Sequence, residues 1–397
     1  MNVLFLCGIY PQPFKDEIFK NSKKGYQFAA QTFQEAVVDG LVENDVTPHI
    51  VTVPFLSTFP LGYRKPLVKF PKSLYNGSVP TICASFINIP FFKTLGNTAE
   101  KEVFEWCRSH DGTKHIIVYA LVGDLMKIAI NAKKKFANIK LTVIVPDLPE
   151  FFGSNKIHQV LGLKKRAVKY IYTNLPFFDN FILLSESMAK PLGIKSENYT
   201  VVEGIYNSKS KYLKDYQFEK GTKTILYTGA LSEKYGIKTL LKAFSSISNP
   251  DYRLVICGDG DATEIVKKFA DDDTRIRFEG MVARDVVLGM QKNADLLINP
   301  RTPEGEYTKF SFPSKTMEYF ASGTPVLMYK LPGIPLEYFK YCFILDEFTV
   351  SALANEISKV LNIALEERLK IGQKASTFIL EQKNCKNQVQ KILKLIS

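Results

Sequence analysis

The sequence has few of the residues that build metal sites, disulfide frameworks or membrane spans. Of its 397 residues four are histidines and one is tryptophan, and the six cysteines include no C-x-x-C pair. Because the histidines and cysteines are scattered, we expect six thiols and no metal site. No apolar run reaches the roughly 18 residues that cross a bilayer.

The first residues lack the features of a signal peptide. The segment MNVLFLCGIYPQPF has no positively charged start, and its apolar core of about six residues is shorter than the core of a signal peptide. We therefore expect a buried first strand in a cytoplasmic protein.

Acidic residues are outnumbered, since 52 lysines and arginines against 40 acidic residues give a net charge of +12. A net charge of this size is typical of proteins that bind anionic small molecules or membranes, or it reflects a general use of lysine. We expect no nucleic acid partner. Basic clusters lie at 21–25, 131–140 and 162–172. The last mixes Lys164, Lys165, Arg166 and Lys169 with apolar residues, which fits either an anionic membrane surface or a solvated helix face.

Short apolar strands alternate with amphipathic helices along the chain. The pattern predicts strands at 2–7, 47–54, 114–121, 140–147, 180–186, 199–205, 224–231, 252–260, 276–282, 294–300 and 324–329. Helices are expected at 25–45, 237–247 and 262–270 and from about 351 onward. This alternation predicts an α/β fold of two doubly wound, Rossmann-like parallel sheets.

A polar segment without periodicity, 206–223, separates the two series of strands. We therefore expect one domain at 1–205 and a second at 206–380. Ligands of open α/β sheets bind beyond the carboxyl ends of the strands, so a central cleft between the two domains is the expected site.

The turns after the strands of the second half are rich in glycine and charge. They are TGALSEKYG (228–236), CGDGD (257–261), EGMV (279–282) and NPRTPEGEYTKFSFPSK (299–315). Gly229, Gly258 and Gly280 would let a ligand approach the backbone closely. One such turn is ordinary, but several at one sheet edge predict a binding site.

The segment FPSKTMEYF has the pattern of a helix N-terminus directed at an anion. Pro313 suits the first helical position, and the amides of Ser314, Lys315 and Thr316 would be donors for a phosphate. Glu318 lies one turn further on the same face, where a carboxylate can accept hydrogen bonds from a ribose. Alternatively, Glu318 is an exposed acid stabilised by the helix dipole.

These segments, in this order and spacing, resemble the second domain of family 4 glycosyltransferases, which are retaining enzymes of GT-B architecture. The resemblance is close over about 180–335 and extends to the whole chain in outline. The FPSK-x-x-E form is similar to a sub-branch found in capsule and exopolysaccharide assembly.

The resemblance implies transfer of a sugar from a UDP- or GDP-linked donor to a hydroxyl of a lipid-linked or oligosaccharide acceptor, without a cofactor. It implies a cytoplasmic enzyme, peripheral on the inner face of the plasma membrane, in surface polysaccharide or glycolipid biosynthesis. It also implies that 1–205 binds the acceptor, that 206–380 binds the donor, and that a last helix at 381–397 packs back on the N-terminal domain.

The resemblance assigns roles on the donor side. Glu318 matches the glutamate that binds the ribose, whereas Phe310 stands where the family has the first glutamate of its Glu-x7-Glu motif. Ala230 and Tyr235 replace the arginine and lysine that hold the diphosphate. The expected donor-binding residues are Glu318, Ser314, Pro313, Lys309, Lys234, Gly229, Gly258, Gly280, Met281, Val282 and Phe310, and the expected replacement cations are Arg301, Lys309, Lys315 and Lys234.

On the acceptor side, the segment PDLPEFF (146–152) matches the place of a polar residue near the reacting sugar. Asp147 is the first candidate and Glu150 the second, and together with Arg301 and Lys315 they form the expected catalytic set. Alternatively, Asp147 caps a turn. Gly8 and Gly25 border a first loop that would approach the cleft.

The missing glutamate and cations also fit a protein of another class. A catalytically impaired, nucleotide-sugar-binding subunit of a glycosyltransferase complex would keep the ribose contact and lose the groups that support the reaction. A sugar-nucleotide epimerase of the same architecture is a third alternative, although the sequence shows no constellation for it.

Overall fold

The computed structural model describes residues 1–23, 27–71, 74–76, 79–90, 98–151, 162–208 and 214–397. It contains two compact units: one comprises Met1–Ile205 and Cys385–Ser397, and the other comprises Tyr206–Asn384. Each is built on a sheet whose strands are mostly or entirely parallel. Among the helices described, none is long and apolar enough to cross a membrane.

The first unit contains an eight-stranded sheet and a separate strand pair. The strands are β1 (Asn2–Cys7), β2 (His49–Thr52), β3 (Leu67–Val68), β4 (Leu74–Asn76), β5 (Val79–Cys83), β6 (Phe86–Ile87), β7 (Lys114–Tyr119), β8 (Ile139–Val145), β9 (Asn180–Leu183) and β10 (Tyr199–Val201). The sheet order is β10-β9-β8-β7-β1-β2-β5-β4, with only the β4–β5 pair antiparallel, while β3 pairs with β6.

The helices described in this unit flank the sheet and include the last helix of the chain. They are α1 (Lys15–Asn21), α2 (Phe28–Glu43), α3 (Ala99–Ser109), α4 (Gly123–Lys135), α5 (Leu163–Asn174), α6 (Ala189–Leu192) and α13 (Cys385–Ile396). The apolar face of α13, with Val389 and Ile392 buried, packs beside α2. Strand β1 is almost wholly buried, because helices cover both faces of a parallel sheet.

The second unit is a six-stranded, fully parallel sheet. Its strands are β11 (Lys223–Thr228), β12 (Tyr252–Cys257), β13 (Ile276–Gly280), β14 (Leu296–Asn299), β15 (Val326–Tyr329) and β16 (Phe343–Leu345). Its helices are α7 (Ile237–Ser245), α8 (Thr263–Asp272), α9 (Arg284–Asn293), α10 (Lys315–Ala321), α11 (Val350–Asn362) and α12 (Leu365–Gln382). The order β13-β12-β11-β14-β15-β16 places the topological switch point between β11 and β14.

The α/β expectation is confirmed, because every strand expected from apolar periodicity is present and all the α/β crossovers run between parallel strands. Helix α9 was not predicted because only Gly289, Met290 and Gln291 are buried in it, which leaves a weak periodic signal. The two-residue strands β3 and β6 are too short to produce an alternating pattern.

The packing of α13 on α2 depends on the absence of a side chain at Gly40. A β-carbon there would lie 2.3 Å from Val389 Cγ2 and 2.4 Å from the carbonyl oxygen of Cys385. We expect Gly40→Ala to lower the free energy of unfolding by about 2 kcal/mol, the usual range for overpacking, as measured by thermal and urea unfolding.

Gly123→Ala is the matched control, because its β-carbon would lie 3.6 Å from the ring of Tyr170, an ordinary contact. Alanine is also the better helix former at this position of α4, so we expect an unchanged or slightly raised stability. Equal stabilities of Gly40→Ala and the wild type would contradict the close approach of the two helices.

Candidate functional site

The polar turns of the second unit meet at the switch point of its sheet. The chain leaves β11 at Gly229 and leaves β14 at Pro300, on neighbouring strands. The two turns are in direct contact, because a β-carbon at Gly236 would lie 2.1 Å from the carbonyl oxygen of Pro300. On the other side, the amide of Gly229 donates to the carbonyl of Cys257 at 3.0 Å.

The absence of a side chain at Gly258 lets the turns after β11 and β12 contact each other. A β-carbon at Gly258 would lie 1.9 Å from the carbonyl oxygen of Gly229, and the amide of Gly258 donates to the carbonyl of Gly280 at 2.7 Å. The three turns therefore form one continuous backbone surface at this edge.

Lys315 directs its ammonium group into this edge. Its Nζ lies 3.9 Å from the centroid of the Tyr227 ring and 3.3 Å from the position of a β-carbon at Gly229. Nζ is buried and has no hydrogen-bond partner among the described residues. Burial, and then the neighbouring charge of Arg301, lower the pKa of Lys315 to about 7. The site thus holds a desolvated amine that would take up a proton from solvent when an anionic ligand binds beside it.

Arg301 supplies a second cation, held between two aromatic rings. Its guanidinium carbon lies 5.2 Å from the ring centroid of Tyr235 and 4.7 Å from that of Tyr307. Its Nη2 donates to the hydroxyl of Ser311 at 2.9 Å, and the residue is only 8% exposed. Its Nε is buried without an acceptor in the described part of the chain. Ring stacking and this hydrogen bond fix the guanidinium, which leaves a donor for a ligand.

Tyr319 anchors α10, which carries Lys315, to the end of β11. The amide of Thr228 donates to the hydroxyl of Tyr319 at 2.8 Å, and Tyr319 is fully buried. The side chain of Gln291 in α9 donates to the hydroxyl of Thr228 at 3.0 Å. Two helices are therefore tied to the last residue of the strand beside the switch point.

Glu318 forms an ion pair that the sequence analysis did not anticipate. Its Oε1 lies 2.6 Å from Nη2 of Arg284, the first residue of α9. The phenol of Tyr206 is close enough to be influenced by both charges, although burial is the main reason that its pKa is raised to about 12. The only sequence signal for Arg284 was its place just after the EGMV turn.

The start of α10 differs from the expectation in two respects. The helix begins at Lys315 with Ser314 as its N-cap, so the prediction that Pro313 takes the first helical position is wrong. The amide of Thr316 is not a free donor either, because it donates to the carbonyl of Pro313 at 2.9 Å. One of the three amides predicted to bind a phosphate is therefore already used within the turn.

The other donor-side candidates lie on the surrounding turns. Met281 is 75% exposed, and Val282 packs partly against the core of the unit. The ammonium of Lys234 lies 5.4 Å from the ring centroid of Tyr235, and the Lys234 carbonyl accepts from Tyr307 at 3.2 Å. Lys309, exposed, and Phe310, half-buried, lie on a short 3₁₀ helix at Glu306–Phe310.

The acceptor-side candidates belong to the first unit. Asp147 follows β8, and part of its side chain is exposed, yet desolvation of its carboxyl raises the pKa to about 6. It lies near Tyr119 at the end of β7, whose pKa is raised by burial and then by the Asp147 charge. A carboxyl with this pKa exchanges protons near neutrality, which suits a group that orients a hydroxyl.

Glu150 and Gly8 make contacts within the same unit. The Oε1 of Glu150 accepts from the hydroxyl of Tyr172 at 2.7 Å. The amide of Gly8 donates to Gln34 at 2.8 Å, and a β-carbon at Gly8 would lie 2.4 Å from the ring of Phe55. Gly25 lies outside the described residues. Over the ranges that the structure covers, no three His, Cys, Asp or Glu side chains are grouped so as to hold a metal ion.

A comparison with family models finds one match. Residues 208–378 match the family described as Glycosyl transferases group 1. This segment spans β11 to β16 and contains Lys315, Arg301 and Glu318. No curated protein matches the chain.

Solved structures similar to this chain share its fold at low sequence identity. Sucrose-phosphate synthase from Thermosynechococcus elongatus is 14% identical with a TM-score of 0.67, over 100% of this chain and 98% of that chain. Anabaena HepE in complex with UDP is 15% identical with a TM-score of 0.64, over 100% and 99%. The E. coli trehalose-6-phosphate structure bound with UDP-2-fluoro glucose is 9% identical with a TM-score of 0.65, over 99% and 98%.

These likenesses confirm the expected GT-B fold with its two Rossmann-like sheets. Residues 208–378 therefore match a group 1 glycosyltransferase domain in a chain of GT-B fold, and this match and the fold together support a transferase enzyme.

Proposed function

We propose that this protein is a retaining glycosyltransferase that moves a sugar from a nucleoside diphosphate sugar to an acceptor hydroxyl in surface polysaccharide or glycolipid biosynthesis. One observation carries the proposal: the buried Nζ of Lys315 has no partner among the described residues and lies beside Arg301 at the switch point of the group 1 domain.

A buried ionisable group without a partner destabilises the folded chain. Arg301 adds a second positive charge close by, which disfavours the protonated form of Lys315. A diphosphate would remove both costs, because its oxygens accept from both side chains and its charge balances theirs. The arrangement is therefore better suited to a bound anion than to structural support.

The reaction needs stabilisation of the negative charge that builds up on the departing diphosphate. Preorganised cations in a desolvated site supply it without reorganisation during the reaction. Lys315 and Arg301 would do this, with Ser314, Lys309 and Lys234 on the adjoining turns, so the proposal requires no cofactor. Glu318 would bind the ribose, and the turn at 280–282 would contact the base of a UDP- or GDP-linked donor.

On the acceptor side we assign Asp147 to the orientation of the attacking hydroxyl. Its pKa of about 6 leaves the carboxyl mostly ionised at neutral pH, so that it accepts a hydrogen bond from the hydroxyl. Glu150 is the second candidate, although its carboxylate is already engaged by Tyr172.

We further propose a lipid-linked or oligosaccharide acceptor at an anionic membrane surface. Helix α5 supports this, because Lys164, Lys165, Arg166 and Lys169 lie on it and Ile171 is its one buried residue. Its neighbour α4 ends in Lys133, Lys134 and Lys135, which extends the basic area. Basic surfaces with interspersed apolar residues bind anionic headgroups.

A catalytically impaired subunit that only binds nucleotide sugars is the second candidate. It is favoured by Phe310 in place of the family glutamate and by Ala230 and Tyr235 in place of the phosphate-binding cations. The two candidates share the nucleotide site and differ only in turnover.

Because burying the Lys315 amine destabilises the folded chain, we expect its replacement to raise the free energy of unfolding by an amount that depends on pH. Its pKa of about 7 lies below the ordinary 10.5, so between these values the unfolded chain binds a proton that the folded site does not. Wild-type stability therefore rises with pH across this window. We expect Lys315→Met to raise stability by a few kcal/mol at pH 7, and by much less at pH 10, in thermal unfolding.

Lys359→Met is the control, because Lys359 is exposed on α11 and pairs with Glu356 at 3.1 Å. Its effect should be small at both pH values. A difference between Lys315→Met and the wild type that does not change with pH would contradict the burial of an unpaired amine.

The function itself is tested by nucleotide binding and donor hydrolysis on the full chain. We expect UDP, GDP or ADP to raise the unfolding temperature, and the matching nucleotide sugar to release its diphosphate slowly without acceptor. Lys315→Met and Glu318→Gln should weaken binding about tenfold or more, since each removes a hydrogen bond to a charged group. Lys359→Met should bind like the wild type.

The outcomes separate the alternatives. Binding with hydrolysis supports the enzyme, and binding without hydrolysis or transfer to any acceptor supports the subunit. If none of the three nucleotides or their sugars binds, the proposed site is wrong.

A further inference from the structure

We propose that Arg284 is a positioning residue for nucleotide recognition: it fixes the Glu318 carboxylate so that the site discriminates ribose from deoxyribose. This inference rests on the proposed function, because it assigns a role within the same nucleotide site. It concerns a residue that neither the sequence pattern nor the family resemblance had singled out.

The ion pair joins two helices that begin at different turns of the site. Arg284 opens α9 directly after the turn at 281–283, and Glu318 lies in the first turn of α10. Their Nη2 and Oε1 atoms are 2.6 Å apart, a short charge-assisted contact. The pair therefore connects the turn proposed for the base to the residue proposed for the ribose.

Helices α9 and α10 are both hydrogen-bonded to Thr228, and this restricts the distance between Arg284 and Glu318. Gln291 of α9 donates to the hydroxyl of Thr228, and Tyr319 of α10 accepts from the amide of Thr228. Thr324, after α10, also donates to the carbonyl of Gln291 at 2.7 Å. Because both helices are anchored at Thr228, the backbone positions that carry Arg284 and Glu318 are held in a fixed relation.

The ion pair contributes little to stability, because Arg284 is 44% and Glu318 28% exposed and solvent screens such pairs. Its effect on a ligand is larger. An unpaired carboxylate would repel the phosphates of a nucleotide and could rotate away from its hydroxyls. Arg284 neutralises this charge and occupies Oε1, so that the other carboxylate oxygen is left to accept from the ribose hydroxyls.

Calorimetric titration with UDP, 2′-deoxy-UDP and 3′-deoxy-UDP tests the inference, with the guanine series used in the same way if the wild type prefers GDP. We expect the wild type to bind the ribonucleotide about tenfold or more tightly than the weaker of the two deoxy forms. Arg284→Met should reduce this ratio to within about threefold, and Arg284→Lys should restore part of it. Loss of folding alone would lower the affinities for all three ligands equally and leave the ratio unchanged.

Arg253→Met is the matched control, because Arg253 pairs with Glu219 at 3.0 Å near the amino end of β12, at the opposite edge of the same sheet. For Arg253→Met, the ratio of the affinity for UDP to the affinity for the weaker deoxy form should equal that of the wild type. An Arg284→Met protein that binds UDP and keeps the full wild-type ratio overturns this inference and leaves the proposed function intact. A wild type that binds no nucleoside diphosphate overturns both.

Discussion

The buried ammonium of Lys315, packed against the ring of Tyr227, is the constraint around which the candidate site is arranged. An amine in this position is stabilised by an anion or loses its proton more easily, and burial, followed by the charge of Arg301, lowers its pKa to about 7. The neighbouring guanidinium of Arg301 adds a positive charge to the site. A doubly charged phosphate group is the ligand chemistry that these two side chains fit together.

The positions of the cations distinguish this chain from the pattern it resembles. The family places an arginine and a lysine after the strand that corresponds to β11, where this chain has Ala230 and Tyr235. In this chain two cations lie elsewhere at the same sheet edge, Arg301 in the turn after β14 and Lys315 at the start of α10. The ring of Tyr235 instead packs against the guanidinium of Arg301. The same anion could therefore be held from the other side of the sheet edge.

Periodicity was sufficient to predict most of the strands, because residues buried on both faces of a parallel sheet leave continuous apolar runs such as NVLFLC. Strands β3, β4, β5, β6 and β16 were not predicted. The pattern of turns likewise located the edge at which Gly229, Arg301 and Lys315 meet. The pair of Arg284 and Glu318 could not be predicted, because it depends on how two helices are set on Thr228. The prediction for Pro313 was wrong because the preference of proline for the first helical position does not show where the helix begins.

The proton balance of nucleotide binding tests the central claim most directly. Titration calorimetry with UDP or GDP at pH 8, in HEPES and in Tris, separates the heat of binding from the heat of buffer ionisation and counts the protons exchanged. Because free Lys315 is mostly neutral at this pH and would be protonated beside a diphosphate, we predict an uptake approaching one proton, and none in Lys315→Met. Tight binding by the wild type without proton uptake would contradict the account.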